Sequence, residues 1–180
     1  MTTYTVQRVK KLVALFLVGI GRLRRVDATP VLLYHSVDDS GSVISISPAL
    51  FKSHMKYLKS KGYRTIPLQH YVDSLRNGVE LPKKAVVITF DDGFKSNYTE
   101  AFPILRKYGF SATIFVATDY VGGRSTWQRN ASIPELSMLT WDEIAEMNDY
   151  GVSFESHGCS HSHMSKLSEN KLRYELIDSR

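Results

Sequence analysis

Short apolar runs alternate along the chain with longer segments whose apolar residues recur at helical spacing. Apolar runs closed by turn residues predict buried strands, and the helical spacing predicts helices between them. The predicted strands cover residues 30–34, 64–67, 85–90, 111–116 and 151–156. The predicted helices begin near Pro48, Leu68, Asn97, Thr140 and Ser168. This order predicts an α/β fold with parallel strands and helical crossovers.

The strand predicted at residues 85–90 runs directly into Asp91, Asp92 and Gly93. The carboxyl ends of parallel strands are where α/β folds place their active sites. Successive residues of a strand face opposite sides, and Gly93 permits a turn, so the two aspartates can have different roles. Two adjacent carboxylates disfavour joint ionisation unless a cation neutralises one of them. The alternative is an ordinary Asp-Asp turn or helix start.

The strand predicted at residues 151–156 ends just before His157, and His161 follows four residues later. This spacing puts both imidazoles on one side of a single turn of chain. Two histidines and one carboxylate with open positions form a catalytic metal site, so we expect Asp92, His157 and His161 to bind a divalent ion. The HExxH signature of metalloproteases is excluded, because Gly158 stands where its glutamate would be. A surface loop rich in histidine is the alternative, and it is strongest for His163.

Composition narrows the class of protein further. A chain of 180 residues, 43% hydrophobic and 23% charged, is typical of one globular domain. The net charge of +5 comes from residues 1–25, which hold six basic residues and no acid. The rest of the chain is nearly neutral, so we expect no nucleic-acid partner. The single cysteine, Cys159, allows no internal disulfide and is expected to be a bystander between the two histidines.

An apolar run at residues 12–21 lies between two basic clusters. It is about half of the ~20 residues that a membrane-spanning helix needs. Basic residues also stand where a leader peptide would have its cleavage site. We therefore expect residues 1–29 to form a basic, apolar helix that contacts the membrane surface through residues 4–25, which favours the membrane or cell envelope over the cytoplasm. A helix packed on the domain, or a leader cleaved near Ala28, are the alternatives.

Two motifs together resemble those of a known family. Thr-Phe-Asp-Asp-Gly at residues 89–93, followed by Ser-His-x-x-x-His at residues 156–161, resembles the first two motifs of the polysaccharide deacetylases, the NodB-homology group or carbohydrate esterase family 4. Residues 110–116 and 139–143 resemble the family as well, and the resemblance covers residues 30–180. It implies a distorted (β/α) barrel with fewer than eight strands, of which residues 30–180 would form the N-terminal part, with the C-terminal strands missing.

The resemblance also implies roles for particular residues. Asp91 would be the catalytic base, and Asp92, His157 and His161 would bind the metal. Zinc is favoured for this ligand set, and cobalt, nickel or manganese also fit. Two further residues could contact substrate. His35 follows a predicted strand, with a capped core histidine as the alternative, and Trp127 could stack on a sugar or plug the core.

The implied reaction is hydrolysis of acetyl groups from N-acetylated sugars of a polysaccharide, in the cell envelope or an exopolysaccharide. The family's downstream motifs, which supply a base-orienting arginine and a general-acid histidine, do not follow in this sequence. The last predicted helix has an apolar stripe of Leu172, Leu176 and Ile177 and no stop signal, so we expect a fragment or a truncated product, with a full-length degenerate protein as the alternative. The alternatives are a catalytically incomplete carbohydrate-binding remnant and an O-acetyl esterase acting on a glycan.

Overall fold

The structure, a computed structural model, describes residues 28–127 and 133–180. The predicted N-terminal helix and its membrane contact through residues 4–25 lie outside the described residues. Within the described ranges, no helix is both long enough and apolar enough to cross a membrane.

Seven strands are described, and all their pairings are parallel. They are β1 (Val31–Tyr34), β2 (Ser36–Val37), β3 (Ser45–Ile46), β4 (Arg64–Thr65), β5 (Ala85–Phe90), β6 (Thr113–Val116) and β7 (Ser153–Ser156). The main sheet has the order β1-β5-β6-β7, and β4 pairs with the start of β5. The short pair β2–β3 lies in a segment whose polar sequence gave no strand signal.

Helices lie between the described strands, and one further helix follows β7. They are α1 (Pro48–Ser60), α2 (Leu68–Asn77), α3 (Phe102–Tyr108), α4 (Trp141–Tyr150) and α5 (Glu169–Arg173). A wider π-helical turn, Asn97–Ala101, precedes α3, and a second one, Tyr174–Asp178, follows α5. Before α4, the side chain of Thr140 accepts a hydrogen bond from the backbone of Glu143, whose own side chain bonds back to the cap. This capping box satisfies two backbone N–H groups that the first turn would otherwise leave unpaired.

The core lies around β5, whose six residues are all buried. Helices α1 and α3 pack against it and contribute Phe51, Met55 and Leu105, all fully buried. Burial on both faces explains why this strand reads as a continuous apolar run. The register aligns Tyr34 of β1 with Phe90 of β5, and Val116 of β6 with Ser156 of β7. The residues that follow these strands therefore meet at one edge of the sheet.

The α/β class with parallel strands and helical crossovers is confirmed. Among the described strands the sheet path is open, with β1 and β7 at its ends. A cleft of about 970 Å³ runs beside β7 and is bordered by Trp141, His157 and Leu176.

The apolar stripe of the last predicted helix does not face the sheet. Leu176 and Ile177 are exposed, and the face turned toward the sheet instead buries Glu175 and Ser179. Glu175 and Ser179 are buried because both side chains form hydrogen bonds to the segment that carries the histidines. Ser168 precedes the helix as expected, but its side chain forms no capping bond.

Candidate metal centre

The turn after β5 separates the environments of the two aspartates. Asp92 has a φ of +76° and Gly93 a φ of +82°, so both residues are left-handed. The sequence had assigned this turn to Gly93, but Asp92 shares it. The turn leaves the Asp92 side chain 2% exposed and that of Asp91 22% exposed. One carboxylate is thereby buried beneath the edge of the sheet, while its neighbour remains accessible to water and substrate.

Residues 157–161, here called the histidine loop, follow β7 and continue its pairing with β6. The N–H of His157 donates to the carbonyl of Val116 at 2.9 Å, which fixes the start of the loop. His161 has a φ of +54°, an uncommon value for a residue with a side chain. From these positions His157 Nε2 lies 3.4 Å, and His161 Nε2 2.9 Å, from Asp92 Oδ1. The structure thus brings together the three side chains that the sequence predicted as metal ligands.

The donor atoms of these three residues fit a divalent cation. One ligand atom from each lies within 4.8 Å of the others. Asp92 Oδ1 is buried and, within the part of the chain that the structure describes, no donor meets it with hydrogen-bond geometry, although both imidazole nitrogens are close. A buried carboxylate oxygen without a hydrogen bond is costly, and a cation would satisfy it. One oxygen and two imidazole nitrogens suit zinc, and several other divalent metals as well.

The electrostatics of the site also favour a cation. Burial by itself raises the pKa of Asp92, but the imidazoles of His157 and His161 outweigh it and hold that pKa well below its usual range. The pKa of His157 is raised, chiefly by its interaction with Asp92 and against the effect of burial. Asp92 therefore remains an anion, and a metal must displace any proton from His157 to bind there.

His35 lies beside the accessible aspartate. Its Nε2 is 3.9 Å from Asp91 Oδ2. The main chain of His35 is fixed because its carbonyl accepts a hydrogen bond from Asn97 Nδ2 at 2.8 Å. The imidazole is partly exposed at the edge of the site, so the reading of His35 as a capped core histidine does not apply.

Trp127 packs against a proposed metal ligand. Its ring stacks on that of His161, with centroids 4.8 Å apart and an interplanar angle of 24°. The Tyr120 ring also contacts it, with 4.4 Å between the ring centroids. Trp127 Nε1 is buried and has no hydrogen-bond partner among the described residues. Its role as a sugar platform stays a prediction, since the contacts that the structure gives its ring are with His161, Tyr120 and Phe94.

Glu175 is the residue of the site that the sequence did not single out. It accepts hydrogen bonds from the backbone of Cys159 and Ser160, between the two histidines. Burial raises its pKa, but these bonds and that of the Ser160 hydroxyl outweigh burial and lower the pKa overall. Cys159 points away from the ligand cluster, toward the carbonyl of Tyr174, and His163 is exposed. In the sequence, only the helical spacing of Glu175 from Leu172 and Ser179 could have indicated that it shares a buried face with them. The neighbouring apolar residues Leu176 and Ile177 obscured that pattern.

Comparison with known proteins places this geometry in a family. A sequence model described as polysaccharide deacetylase matches residues 78–180, which include both aspartates and both histidines. The chain belongs to the polysaccharide deacetylase family. This chain is 34% identical over 151 residues to the Bacillus subtilis protein YxkH, and the match covers 84% of this chain and 50% of YxkH.

Two other deacetylases are similar in sequence or structure. A Staphylococcus aureus protein named poly-β-1,6-N-acetyl-D-glucosamine N-deacetylase is 33% identical over 129 residues, which cover 71% of this chain and 42% of that protein. The Streptococcus pyogenes deacetylase PplD, solved in complex with acetate, superposes with a TM-score of 0.70 at 28% identity, covering 84% of this chain and 65% of PplD. The chain spans about half the length of the curated relatives it matches.

Proposed function

We propose that this chain carries the metal-dependent site of an enzyme that removes acetyl groups from N-acetylated sugars of a polysaccharide. The observation that carries the proposal is the cluster of Asp92, His157 and His161 beside the accessible carboxylate of Asp91. The membership of this chain in the polysaccharide deacetylase family supports acetyl hydrolysis. The name of the S. aureus relative supports an N-acetylglucosamine polymer as the class of substrate.

The residues of the chain would share the reaction as follows. A bound divalent metal would supply Lewis-acid polarisation of the acetyl carbonyl. Asp91 accepts a proton as the oxygen of water adds to the carbonyl carbon. The carbon–nitrogen bond then breaks as the sugar nitrogen takes up a proton from solvent, Asp91 returns its own proton to solvent, and acetate and the sugar amine are released. His35, whose Nε2 lies 3.9 Å from Asp91 Oδ2, would contact the substrate beside this carboxylate.

Identity of the metal and place of action are further parts of the proposal. Zinc is favoured by two imidazoles and one carboxylate, with cobalt, nickel and manganese as alternatives. Trp127 would border the sugar next to the acetyl group. The basic, apolar character of residues 4–25 supports peripheral contact with a membrane, and hence a glycan of the cell envelope or an exopolysaccharide.

The test separates the roles of the adjacent aspartates. Metal content is measured by elemental analysis, and deacetylation is measured on β-1,6-linked N-acetylglucosamine oligomers. Asp91→Asn should keep the metal and lower kcat by about 10²- to 10⁴-fold, the range for loss of a general base. Asp92→Asn should lose both metal and activity. Asp149→Asn, an exposed change on α4, is the matched control and should alter neither.

Three results would contradict the proposal in different ways. A folded wild-type protein without metal would rule out the metal centre. Metal and glycan binding without turnover would indicate a carbohydrate-binding remnant. Release of acetate from O-acetylated glycan alone would make the protein an esterase.

A further inference from the structure

We propose that Glu175 is a positioning residue that holds the histidine loop in its metal-binding shape before any metal arrives. This inference rests on the proposed metal centre and extends it to a residue that touches no ligand atom of the cluster. It stands on the hydrogen bonds, the burial and the backbone geometry of the loop between the two histidines.

The carboxylate of Glu175 is bonded almost entirely to this loop. Oε2 accepts from the N–H of Cys159 at 2.7 Å and from the N–H of Ser160 at 2.9 Å. Oε1 forms a short hydrogen bond with the Ser160 hydroxyl. Glu175 is 3% exposed, and no lysine or arginine within the described ranges lies at ion-pair distance from it. Its negative charge is therefore directed at the loop rather than neutralised by a basic side chain.

The loop needs such a partner because its backbone is unusual. His161 has a φ of +54°, which side-chain-bearing residues avoid. The two residues before it, Cys159 and Ser160, are those whose amides Glu175 binds. Gly158 lets the carboxylate approach this closely, because a Cβ at that position would lie 2.8 Å from Glu175 Oε2. Glu175 can therefore bind the loop in this way only because position 158 has no side chain.

The opposite side of the loop is held by the main chain after β6. Thr118 N–H donates to the carbonyl of Gly158 at 3.2 Å, and Asp119 N–H donates to that of Cys159 at 3.1 Å. Glu175 is itself anchored, because the hydroxyl of Ser179 donates to its carbonyl at 2.7 Å and also bonds to Ser156 at the end of β7. The loop is thus clamped between β6 and the C-terminal helical segment. Removing Glu175 would release the side nearest to His161.

The decisive experiment is a metal titration of Glu175 variants. Metal-free protein is titrated with Co²⁺, and the visible absorption of the bound ion reports both affinity and ligand geometry. Glu175→Ala should weaken binding by about 10- to 100-fold, the range for loss of a residue that orients metal ligands. It should also change the shape of the cobalt spectrum. A residue that only stabilises the fold would leave the spectrum of the bound ion unchanged.

Two variants control for the charge and for the helix. Glu175→Gln should bind cobalt within about threefold of wild type, because its amide oxygen can accept both N–H groups while its NH₂ donates to the Ser160 hydroxyl. Glu169→Ala removes an exposed glutamate of the same helix, which pairs only with Arg173, and should change nothing. Equal cobalt affinity and spectra in folded Glu175→Ala and wild type would overturn the proposal.

Hydrogen exchange of the metal-free wild type tests, without any substitution, whether the amides of the histidine loop are held by hydrogen bonds before metal binds. The amides of Cys159 and Ser160 should exchange as slowly as those of β7, and their fast exchange would overturn the proposal even where Glu175→Ala does not fold. Failure of wild type to bind cobalt would reject the proposed metal centre, whereas loss of affinity limited to the variant supports the role of Glu175. The two proposals therefore fail by different results.

Discussion

Gly93 is a position where a single added methyl group should disturb the turn that carries the metal-ligand candidate Asp92. It follows Asp92 in the left-handed turn, with a φ of +82°. A Cβ added there would lie 3.2 Å from Cγ1 and 3.3 Å from Cγ2 of Val116. Val116 cannot easily move aside, because it is β-branched, 5% exposed and paired with Ser156 in the sheet. Gly93→Ala should therefore combine backbone strain with a steric clash.

The expected cost follows from these two effects. A left-handed backbone costs a residue with a Cβ roughly 1–2 kcal/mol relative to glycine. The stiffer unfolded chain returns about 0.4–1 kcal/mol. Overpacking against Val116 adds about 1–3 kcal/mol, so Gly93→Ala should lower the free energy of unfolding by about 3 kcal/mol in all. Gly122 has a φ of +77° with no atom within 4 Å of an added Cβ, so Gly122→Ala should cost only about 1 kcal/mol.

The assay is urea unfolding of the metal-free protein, which gives the free energy of unfolding of each variant. The slope of the transition should stay the same between variants, so that a shift of the midpoint reports stability. The difference between Gly93→Ala and Gly122→Ala isolates the clash, because both carry the same backbone strain. Combining Gly93→Ala with Val116→Ala should destabilise the protein by less than the sum of the two single changes. Equal destabilisation by Gly93→Ala and Gly122→Ala would refute the reasoning that Val116 confines this turn.

Two further predictions concern pH and helix capping. The pKa of His157 in the folded protein lies above its ordinary value of 6.5, so its contribution to stability is complete below about pH 6.5 and is lost as the pH rises through the folded-state pKa. Urea unfolding of metal-free protein at several pH values should show this loss, and His157→Gln should remove it. Thr140→Ala should lower the free energy of unfolding by about 1 kcal/mol, because the hydroxyl caps the Glu143 amide. Thr140→Ser should restore it, and equal stability of all three proteins would contradict the capping role.

The parts of the fold that the sequence predicted well are those with local causes. The run at residues 85–90 is apolar because β5 is buried on both faces, and this pattern needs no knowledge of its partners. The capping box of α4 likewise depends on two residues three positions apart, Thr140 and Glu143. Asp91 and Asp92 followed from the first of these signals, because polar residues after a buried parallel strand lie at the functional edge of the sheet.

The features that the sequence did not predict depend on contacts between distant segments. The left-handed turn at Asp92 is tied to the residue after β6, because the Ala117 N–H donates to the Asp92 carbonyl at 3.3 Å, whereas the sequence marks only Gly93 as able to turn. The apolar stripe of the last helix gives no hint that Glu175 is buried, because apolar side chains outweigh a single glutamate in any periodic pattern. Glu175 is buried because the amides of the histidine loop satisfy it, and that pairing is visible only once both segments are placed.

The two ligand-bearing loops share one arrangement, and it accounts for how the site is fixed. In each loop a proposed ligand with positive φ, Asp92 or His161, lies near a glycine that admits a close neighbour. Gly93 admits Val116, and Gly158 admits the carboxylate of Glu175. The ligand atoms therefore converge because the backbone is held by groups that do not themselves bind metal. Since this restraint exists in the metal-free chain, metal affinity should be as sensitive to the packing behind the glycines as to conservative changes of the ligands.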